Sequence, residues 1–481
     1  MTGVDGFDSF AYRHRVADLM ASPVVTIGRE CTLRQAAVRL TEHRIGALVV
    51  TDAAGRLCGI VTERDLVRAV ATGVELASAS VASAMTADVA TIAPDAFAFV
   101  AIGRMQRLGV RHLPVIAEGR LVGIVSARNL LRLRSDAAPA IGDAIAVATG
   151  AADMAASLAE LPCLAARLLA DGCTGHEVAA VISGVFRDAT RRAAELAEAA
   201  LCDRGLGPPP ARHALLILGS GGRGESLLRP DQDNAVVHDG DAADDAWFAA
   251  FGRAASDLLN AAGIPYCQGG VMASEPQWRR PLDEWHREIG RWIARGEGES
   301  LLNIDIFFDF RPVHGDQALA RSLREPALEL AARSPLFLRL LAAEVEGLGS
   351  PFGLFGRLRR GSDGRVDAKM AGLLPAVGAA RVMALACRVA ETATPARLRA
   401  VAEAGAIDSE AAEDLIRAHG VVLSRMLAQQ VADRAANLPP GNRVAPDALA
   451  PPQRRAFVEA LQTIRQAPLL VRDTLTAPRH A

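Results

Sequence analysis

The sequence predicts a multidomain α/β protein: a repeated α/β module, a second α/β domain and a helical C-terminal third. Its 481 residues, at ~150 per domain, suggest about three domains. Hydrophobic residues make up 50% and charged residues 22%, which suffices to bury several cores. Strand patterns end near residue 342, and the rest has helical spacing. We expect the repeat at 15–136 (copies 15–72 and 80–136), a helical connector at 137–205, an α/β domain at 206–342 and a helical domain at 343–481.

Composition and charge exclude several classes of protein. The formal net charge is −2, whereas general nucleic-acid binders carry a basic excess, so no nucleic-acid partner is expected. No apolar run reaches the ~18 residues that cross a bilayer, and the N-terminal segment lacks the apolar core of a signal peptide. Without such a run, no membrane contact is expected. The seven scattered cysteines are never spaced as CxxC, which favours reduced thiols and a cytoplasmic location.

The front of the chain contains an internal repeat. The segment from Val16 to Ile27 recurs from Val81 to Ile92, a shift of 65 residues, and Gly46 to Leu66 is answered by Val110 to Leu130. Each copy has the pattern of a helix, a β-hairpin and a closing helix. A unit of about 60 residues cannot cover both faces of its sheet, so we expect the two copies to pack together.

This tandem resembles a CBS-domain pair, a regulatory module named after cystathionine β-synthase. Each copy ends its hairpin with the pattern G-h-h-T/S-x-x-D/N, at Gly59 to Asp65 and at Gly123 to Asn129. The resemblance implies an adenine nucleotide as effector, a homodimer through the pair, and four ligand-binding residues: Thr62, Asp65, Ser126 and Asn129. Hydroxyls and carboxylates also cap helices well, so capping is the alternative role for these four side chains.

The region 137–205 has helical spacing throughout, with an apolar stripe from Val178 to Leu196. After a run of prolines, an apolar strand (Ala214 to Leu218) leads into the glycine-rich turn Gly219-Ser-Gly-Gly-Arg-Gly-Glu225. A Walker P-loop is excluded because its lysine is missing. A Rossmann fingerprint fits poorly, since only nine residues separate Gly224 from the second strand at Asn234, too few for the required helix.

The order G-S followed by Asp231-Gln-Asp233 resembles the DNA polymerase β-type nucleotidyltransferases. The form GSGGRGE-x5-DQD most resembles a group that contains the uridylyltransferase of the signalling protein PII and glutamine synthetase adenylyltransferase. Within that group, it is most similar to the nucleotidyltransferases that are fused to CBS pairs. Asp231 and Asp233 alternate onto one face and are suited to hold two Mg²⁺ ions. Gly219, Ser220 and Arg223 are the candidate phosphate contacts for an NTP.

The superfamily uses a third carboxylate from a later strand. We predict a strand over residues 303–310, where Asp305 and Asp309 differ by four and share a face, so that periodicity cannot choose between them. The resemblance favours Asp309, within Asp-Phe-Arg-Pro-Val-His-Gly, as metal ligand and as the group that helps to deprotonate the acceptor. The tryptophans of the preceding helical segment, among them Trp285 and Trp292, are expected in the core.

From about residue 343 the pattern is helical. Lys369 is the only lysine of the chain and lies where the resemblance begins a helical domain, so it is either a triphosphate contact or a chance exception. Arg381 and Arg388, seven residues apart, are predicted on one helix face that meets phosphate or solvent.

These features predict a CBS-regulated, Mg²⁺-dependent nucleotidyltransferase that passes a nucleoside monophosphate from an NTP to an acceptor hydroxyl. By resemblance, the acceptor is a tyrosine of a small signalling protein, as in PII uridylylation, although the phosphohydrolase and ACT-like parts that normally accompany that enzyme have no counterpart in the sequence. The alternative is a non-catalytic adenine-nucleotide sensor, against which the intact carboxylates argue.

Overall fold

The structure is a computed structural model that describes residues 15–43, 45–52, 55–87, 89–96, 98–117, 119–126, 138–295, 306–348, 350–353 and 357–476. The chain divides into two compact units, Met1–Pro139 and Ala140–Ala481.

The first unit is the repeated α/β module. Its helices are Val16–Leu19, Leu33–His43, Glu63–Ala71 and Ala98–Leu108. Its strands are β1 (Thr26–Gly28), β2 (Ala47–Thr51), β3 (Leu57–Thr62), β4 (His112–Ala117) and β5 (Arg120–Ser126). β1 pairs parallel with β2, while β2–β3 and β4–β5 are antiparallel hairpins, as the repeat predicts.

The two copies are packed together by an exchange of their leading segments. Ala21, at the start of the first copy, forms an antiparallel bridge with Ile124 of β5, and the equivalent Thr86 bridges Ile60 of β3. Val16 likewise lies in the core of the second copy, beside Val115. Each copy therefore completes the sheet of the other, which is the packing that a 60-residue repeat requires.

The second unit begins with helices. They are Ala138–Ala146, Ala151–Leu158, Leu161–Ala170 and the long connector helix Gly175–Asp203. Thr174 starts the connector helix with a capping box, in which its backbone N–H donates to Glu177 at 2.7 Å. The apolar stripe of this helix is buried, at Val178, Ile182 and Val185 among others.

A four-stranded sheet follows, in the order β8-β7-β6-β9. Its strands are β6 (His213–Ile217), β7 (Asn234–His238), β8 (Arg279–Pro281) and β9 (Arg311–Gly315). The helices around it are Gly219–Arg223, Asp245–Ala261, Leu282–Arg295 and Gln317–Ala332. β6 and β7 are antiparallel, which excludes a Rossmann βαβ unit.

Both faces of this sheet are covered, because side chains alternate along β6. Leu215 packs with the connector helix and with Phe248, whereas Leu216 packs with Trp285 and the helices on the other face. Trp285 and Trp292 are buried, so the prediction that they are core residues is confirmed.

The C-terminal region is helical, apart from the two-residue antiparallel pair β10 (Val366–Asp367) and β11 (Arg443–Val444). Its helices are Pro335–Gly347, Leu374–Ala386, Thr394–Glu403, Ser409–Ala435, Pro451–Ile464 and Ala467–Thr476. They share one apolar core with the sheet. The stretch Lys369–Ala386 has the length and apolarity of a membrane span, but 72% of it is buried inside the protein, as in a core helix.

Candidate active site

The glycine-rich turn directly follows β6 and forms the short turn helix Gly219–Arg223. Gly219 adopts φ +52°, and a Cβ built on it would lie 2.6 Å from Oδ2 of Asp233. A side chain at residue 219 would therefore clash with the carboxylate. Ser220 lines the same cleft as Asp231 and Asp233, so the structure brings these predicted residues together with Gly219.

The Asp-Gln-Asp segment lies immediately before β7, and its side chains alternate. Gln232 is buried, and its amide donates to the carbonyl oxygens of Ser256 (3.0 Å) and Ile264 (2.8 Å). The flanking Asp231 and Asp233 face the cleft. The middle residue anchors the segment so that both carboxylates reach one site. This role of Gln232 was not predicted, although the alternation of side chains along the segment places Gln232 opposite the two aspartates.

The positive charge near Asp231 and Asp233 does not fully offset the burial and mutual repulsion of these carboxylates. Burial, and then the charge of Asp231, raise the pKa of Asp233 to about 6, while the Cys267 thiol, Lys369 and Arg223 lower it. Burial and the charge of Asp233 in turn raise the pKa of Cys267 to about 11, so this group stays a thiol. Ligand atoms of Asp231, Asp233 and Cys267 all lie within 4.8 Å of one another.

This donor set fits Mg²⁺. Hard cations prefer carboxylate oxygens, and two carboxylates that repel each other gain most from a bound divalent ion. Asp231 and Asp233 would hold the metal. A protonated thiol is a poor ligand for a hard ion, so Cys267 is better described as a hydrogen-bond partner of Asp233.

Lys369 is exposed and lies in the π-helical turn Lys369–Leu373, which precedes the helix Leu374–Ala386. Its charge acts on the pKa of Asp233. Single π-helical turns often occur at functional sites. The one lysine of the chain thus lies within electrostatic reach of Asp233.

Arg223 lies in the turn helix but is held by two carboxylates. Its Nε donates to Glu225 at 2.8 Å, and its Nη1 contacts Asp309. Only 11% of the Arg223 side chain and 5% of the Glu225 side chain are exposed, so this is a buried ion pair and not a surface one. Arg223 therefore fixes the turn, and two sides of its guanidinium group are not available to phosphate.

Asp309 is not part of the metal site, which corrects the prediction that it completes the metal set. It lies in a turn before β9, and the predicted strand over 303–310 is wrong in its described part, 306–310. The side chain is fully buried (0% exposed), and its oxygens accept from Arg381 (2.6 and 3.1 Å) and Arg397 (2.7 Å), besides Arg223. Asp305 lies outside the described residues.

The surroundings of Asp309 also make it unfit to accept a proton. Burial alone would raise the pKa of this carboxyl, but the three arginines hold it well below its ordinary range. Arg381 is itself 3% exposed, so it meets neither phosphate nor solvent as predicted, and Arg388 lies beyond the end of the helix Leu374–Ala386, with φ 57°. The three arginines with Asp309 and Glu225 form a buried group that we call the arginine hub.

Comparison with known families matches this architecture. Residues 159–299 match the family described as "Putative nucleotidyltransferase DUF294", and residues 335–474 match "Putative nucleotidyltransferase substrate binding domain". Residues 16–72 and 81–136 match the CBS domain. The chain is a CBS-fused member of the DUF294 family. The resemblance to a CBS pair joined to a nucleotidyltransferase domain is thereby confirmed.

Individual relatives of this DUF294 protein align with about a quarter of its length. A 17.7 kDa protein of Acidianus ambivalens is 38% identical over 25% of this chain and 74% of its own. Hypoxic response protein 1 of Mycobacterium tuberculosis is 34% identical over 24% of this chain and 81% of its own. The solved CBS pair of protein MJ0100, described in complex with 5-methylthioadenosine and S-adenosyl-L-methionine, is 28% identical over 25% of this chain and 95% of its own, with a TM-score of 0.24.

In the CBS pair of the DUF294 protein, Thr62 and Asp65 serve as a helix cap. Oδ2 of Asp65 accepts from the Thr62 backbone N–H (3.0 Å) and hydroxyl (2.7 Å) at the start of the helix Glu63–Ala71. The capping role is therefore present whether or not a nucleotide also binds. Ser126 ends β5 at the matching position, and Asn129 lies outside the described residues.

Proposed function

We propose that the protein transfers a nucleoside monophosphate from an NTP to an acceptor hydroxyl, with release of pyrophosphate, under control of its CBS pair. One observation carries the proposal. Asp231 and Asp233 face the cleft beside a turn whose Gly219 leaves no room for a side chain next to the Asp233 carboxylate. Such carboxylates can hold cations beside a phosphate chain, and paired cations stabilise both the attacking and the leaving oxygen of a phosphoryl transfer.

The residues of the cleft have separate roles in binding the metal and the triphosphate. Asp231 and Asp233 hold Mg²⁺, and two ions are expected from the resemblance. Bound Mg²⁺ would neutralise charge on the triphosphate and on the leaving pyrophosphate. Ser220 donates its hydroxyl to phosphate, and Lys369 supplies a mobile ammonium group within electrostatic reach of Asp233. Arg223 keeps the turn in place through the arginine hub.

The acceptor is proposed to bind to the helical region 335–474, whose family description names a substrate-binding domain. By similarity to PII uridylyltransferases, we expect a hydroxyl of a small signalling protein. Asp309 does not deprotonate this hydroxyl, because its oxygens are occupied by arginines. Asp305 is the alternative third carboxylate and is tested by substitution.

The test supplies each of the four NTPs, labelled at the α-phosphate, to the full-length protein with Mg²⁺ and cell extract. We expect one NTP to release pyrophosphate and to label a macromolecular acceptor. The Asp231→Asn, Asp233→Asn double variant should abolish both signals. The control is Asp283→Asn, an exposed aspartate in the first turn of the helix Leu282–Arg295, which should behave as wild type.

Equal labelling by the double variant would refute the assigned site. Binding of NTP with neither pyrophosphate release nor labelling would instead support the alternative, a non-catalytic nucleotide sensor. Asp305→Asn in the same assay tests the third carboxylate: a loss of labelling by orders of magnitude assigns it to the site, and wild-type labelling excludes it.

For the CBS pair we propose an adenine nucleotide as effector, held at Thr62, Asp65, Ser126 and Asn129. Coupling between effector and NTP must be reciprocal, with typical shifts of about 5- to 150-fold in affinity. Calorimetry with AMP, ADP and ATP, in the presence and absence of the NTP substrate, measures this. Asp65→Asn is the informative variant, because it keeps an oxygen to cap the helix while it weakens the binding of ribose hydroxyls.

We further propose a cytoplasmic homodimer that assembles through the CBS pair. All seven cysteines are thiols, which suits a reducing compartment. Sedimentation of the full chain at several concentrations tests the dimer, and a purely monomeric boundary at micromolar concentration would refute it.

A further inference from the structure

A second cluster of metal-ligating side chains lies at the end of β6 away from the glycine-rich turn. It consists of Glu198 on the connector helix, His213 at the first position of β6 and His314 on β9. From His213 to Gly219 the chain advances six residues, roughly 20 Å along an extended strand. The cluster is therefore separate from the cleft that contains Asp231 and Asp233.

The fold aims these three side chains at one point. β6 and β9 are antiparallel, with Leu215 opposite His314, so His213 and His314 are diagonal neighbours on the same face of the sheet. The connector helix covers that face and contributes Glu198. Oε1 of Glu198 lies 2.8 Å from Nε2 of His314 and 3.1 Å from Nε2 of His213, and the three ligand atoms all lie within 4.8 Å of one another.

These separations suit one small metal ion. Tetrahedral zinc binds nitrogen and oxygen at about 2.0–2.1 Å, which places its ligand atoms ~3.3 Å apart. The separations from Oε1, 2.8 Å to His314 and 3.1 Å to His213, are about 0.5 and 0.2 Å shorter than that value. Only small side-chain shifts would close the three donors onto an ion.

His213 supplies an independent indication of a ligand. It is 6% exposed, and among the described residues its buried Nε2 has no hydrogen bond of acceptable geometry, although Oε1 of Glu198 lies near. The rings of Trp247, Phe248 and Phe251 pack around it, with centroids 6.0, 5.6 and 5.3 Å away. A buried imidazole nitrogen aimed at a carboxylate and a second imidazole is arranged as a metal ligand would be.

We propose that Glu198, His213 and His314 bind a divalent transition-metal ion, with zinc as the preferred species. Two imidazoles and one carboxylate form a donor set suited to zinc, whereas the carboxylates of the nucleotide cleft suit Mg²⁺. Side-chain exposures of 23% for Glu198 and 17% for His314 leave a fourth position open to water. The ion would join the connector helix to β6 and β9, and its role is to stabilise that junction.

The experiment measures zinc in the full-length protein after loading with zinc and removal of loosely bound metal by a brief chelator wash. To eliminate the other carboxylate site, the Asp231→Asn, Asp233→Asn variant is measured in parallel. We expect about one zinc per chain in both, since three donors hold one ion. Adding His314→Gln or Glu198→Gln should remove it. The control is His286→Gln, a partly exposed histidine that contacts the Ser322 carbonyl and lies outside the cluster.

Cobalt substitution gives a readout that does not depend on the variants. Co²⁺ in a site with nitrogen and oxygen ligands absorbs in the visible range, and the band should be present in the wild-type protein and lost on addition of zinc. The proposal is overturned if the wild type retains no zinc and shows no cobalt band, or if His314→Gln and Glu198→Gln retain zinc as fully as wild type. If a variant fails to fold, the wild-type cobalt spectrum decides alone.

Discussion

Replacing Asp309 by asparagine should destabilise the unit Ala140–Ala481 by about 3–5 kcal/mol, the typical cost of removing one partner from a buried ion pair. The Asp309→Asn substitution would preserve the side-chain volume but remove the negative charge from among Arg223, Arg381 and Arg397. It would also turn an amide NH₂ toward guanidinium donors. Because three arginines surround one fully buried carboxylate, we expect a loss near the upper end of that range.

The assay is urea unfolding of the full chain followed by tryptophan fluorescence. All four tryptophans lie between residues 247 and 292, so their emission reports the second unit and not the CBS pair. With an m-value of about 3 kcal/mol/M or more, a loss of about 5 kcal/mol should lower the urea midpoint by about 1.5 M. Urea is preferred to guanidinium chloride because it does not screen ion pairs.

The matched control is Asp231→Asn, the same chemical change at an exposed carboxylate. It should leave the midpoint unchanged or raise it, because it removes repulsion from Asp233, while it abolishes nucleotidyl transfer. The opposite pattern, an unchanged midpoint for Asp309→Asn together with lost transfer, would show that Asp309 acts in the chemistry. The assignment of Asp309 to the arginine hub would then be refuted.

Three further predictions concern single residues. Because the pKa of Asp233 is raised to about 6, ionisation of this carboxyl destabilises the folded protein as the pH rises through that value. Asp233→Asn should therefore raise the urea midpoint near pH 8 but not below the ordinary carboxyl pKa of about 4, and the rise at pH 8 should be smaller when Mg²⁺ is present. Lys369→Gln should raise the KM for NTP about tenfold, a loss of ~1.4 kcal/mol in binding, with partial rescue by Lys369→Arg; an unchanged KM would assign Lys369 to the solvated surface. Asp65→Ala should cost about 1 kcal/mol through the lost cap and speed amide exchange in the helix Glu63–Ala71, whereas Asp65→Asn should retain most protection.

The sequence predicted those parts of the fold whose signals are local. Residues 213–238 combine an apolar strand, glycines and a second strand within 26 positions, and the structure has β6, the turn helix and β7 there. The alternation of Asp231, Gln232 and Asp233 likewise places the two carboxylates on one side. The repeat predicted the packing of the CBS copies because neither copy can cover its own sheet.

The predicted strand over 303–310 failed for an identifiable reason. Phe307, Phe308 and Phe310 are all buried, and so is Asp309 between them, so burial does not alternate along the segment. A short apolar run has no period that separates a strand from a turn within a core. The strand begins one residue later, at Arg311, where the burial becomes intermediate.

The arginine hub could not be predicted because its members are distant in sequence. Arg381 and Arg397 lie 72 and 88 residues after Asp309, on two helices of the C-terminal region. An arginine-rich chain offers many candidate partners for one aspartate, and periodicity assigns a face but not the neighbour across it. A resemblance that marked Asp309 as functional was equally consistent with a ligand and with the centre of an ion-pair network.

The arginine hub connects the glycine-rich turn to the C-terminal helices. Arg223 belongs to the turn helix that carries Ser220, and Asp309 links it to arginines of the helices Leu374–Ala386 and Thr394–Glu403. Glu225, next to the turn, accepts from the Thr394 backbone N–H at 2.7 Å. The orientation of the glycine-rich turn is therefore set by the C-terminal helices, which lie in the region that matches the family description of a substrate-binding domain. Because β6, which leads into the turn, also shares one apolar core with those helices, a displacement of the helices would disturb the turn through buried ion pairs, which are costly to break.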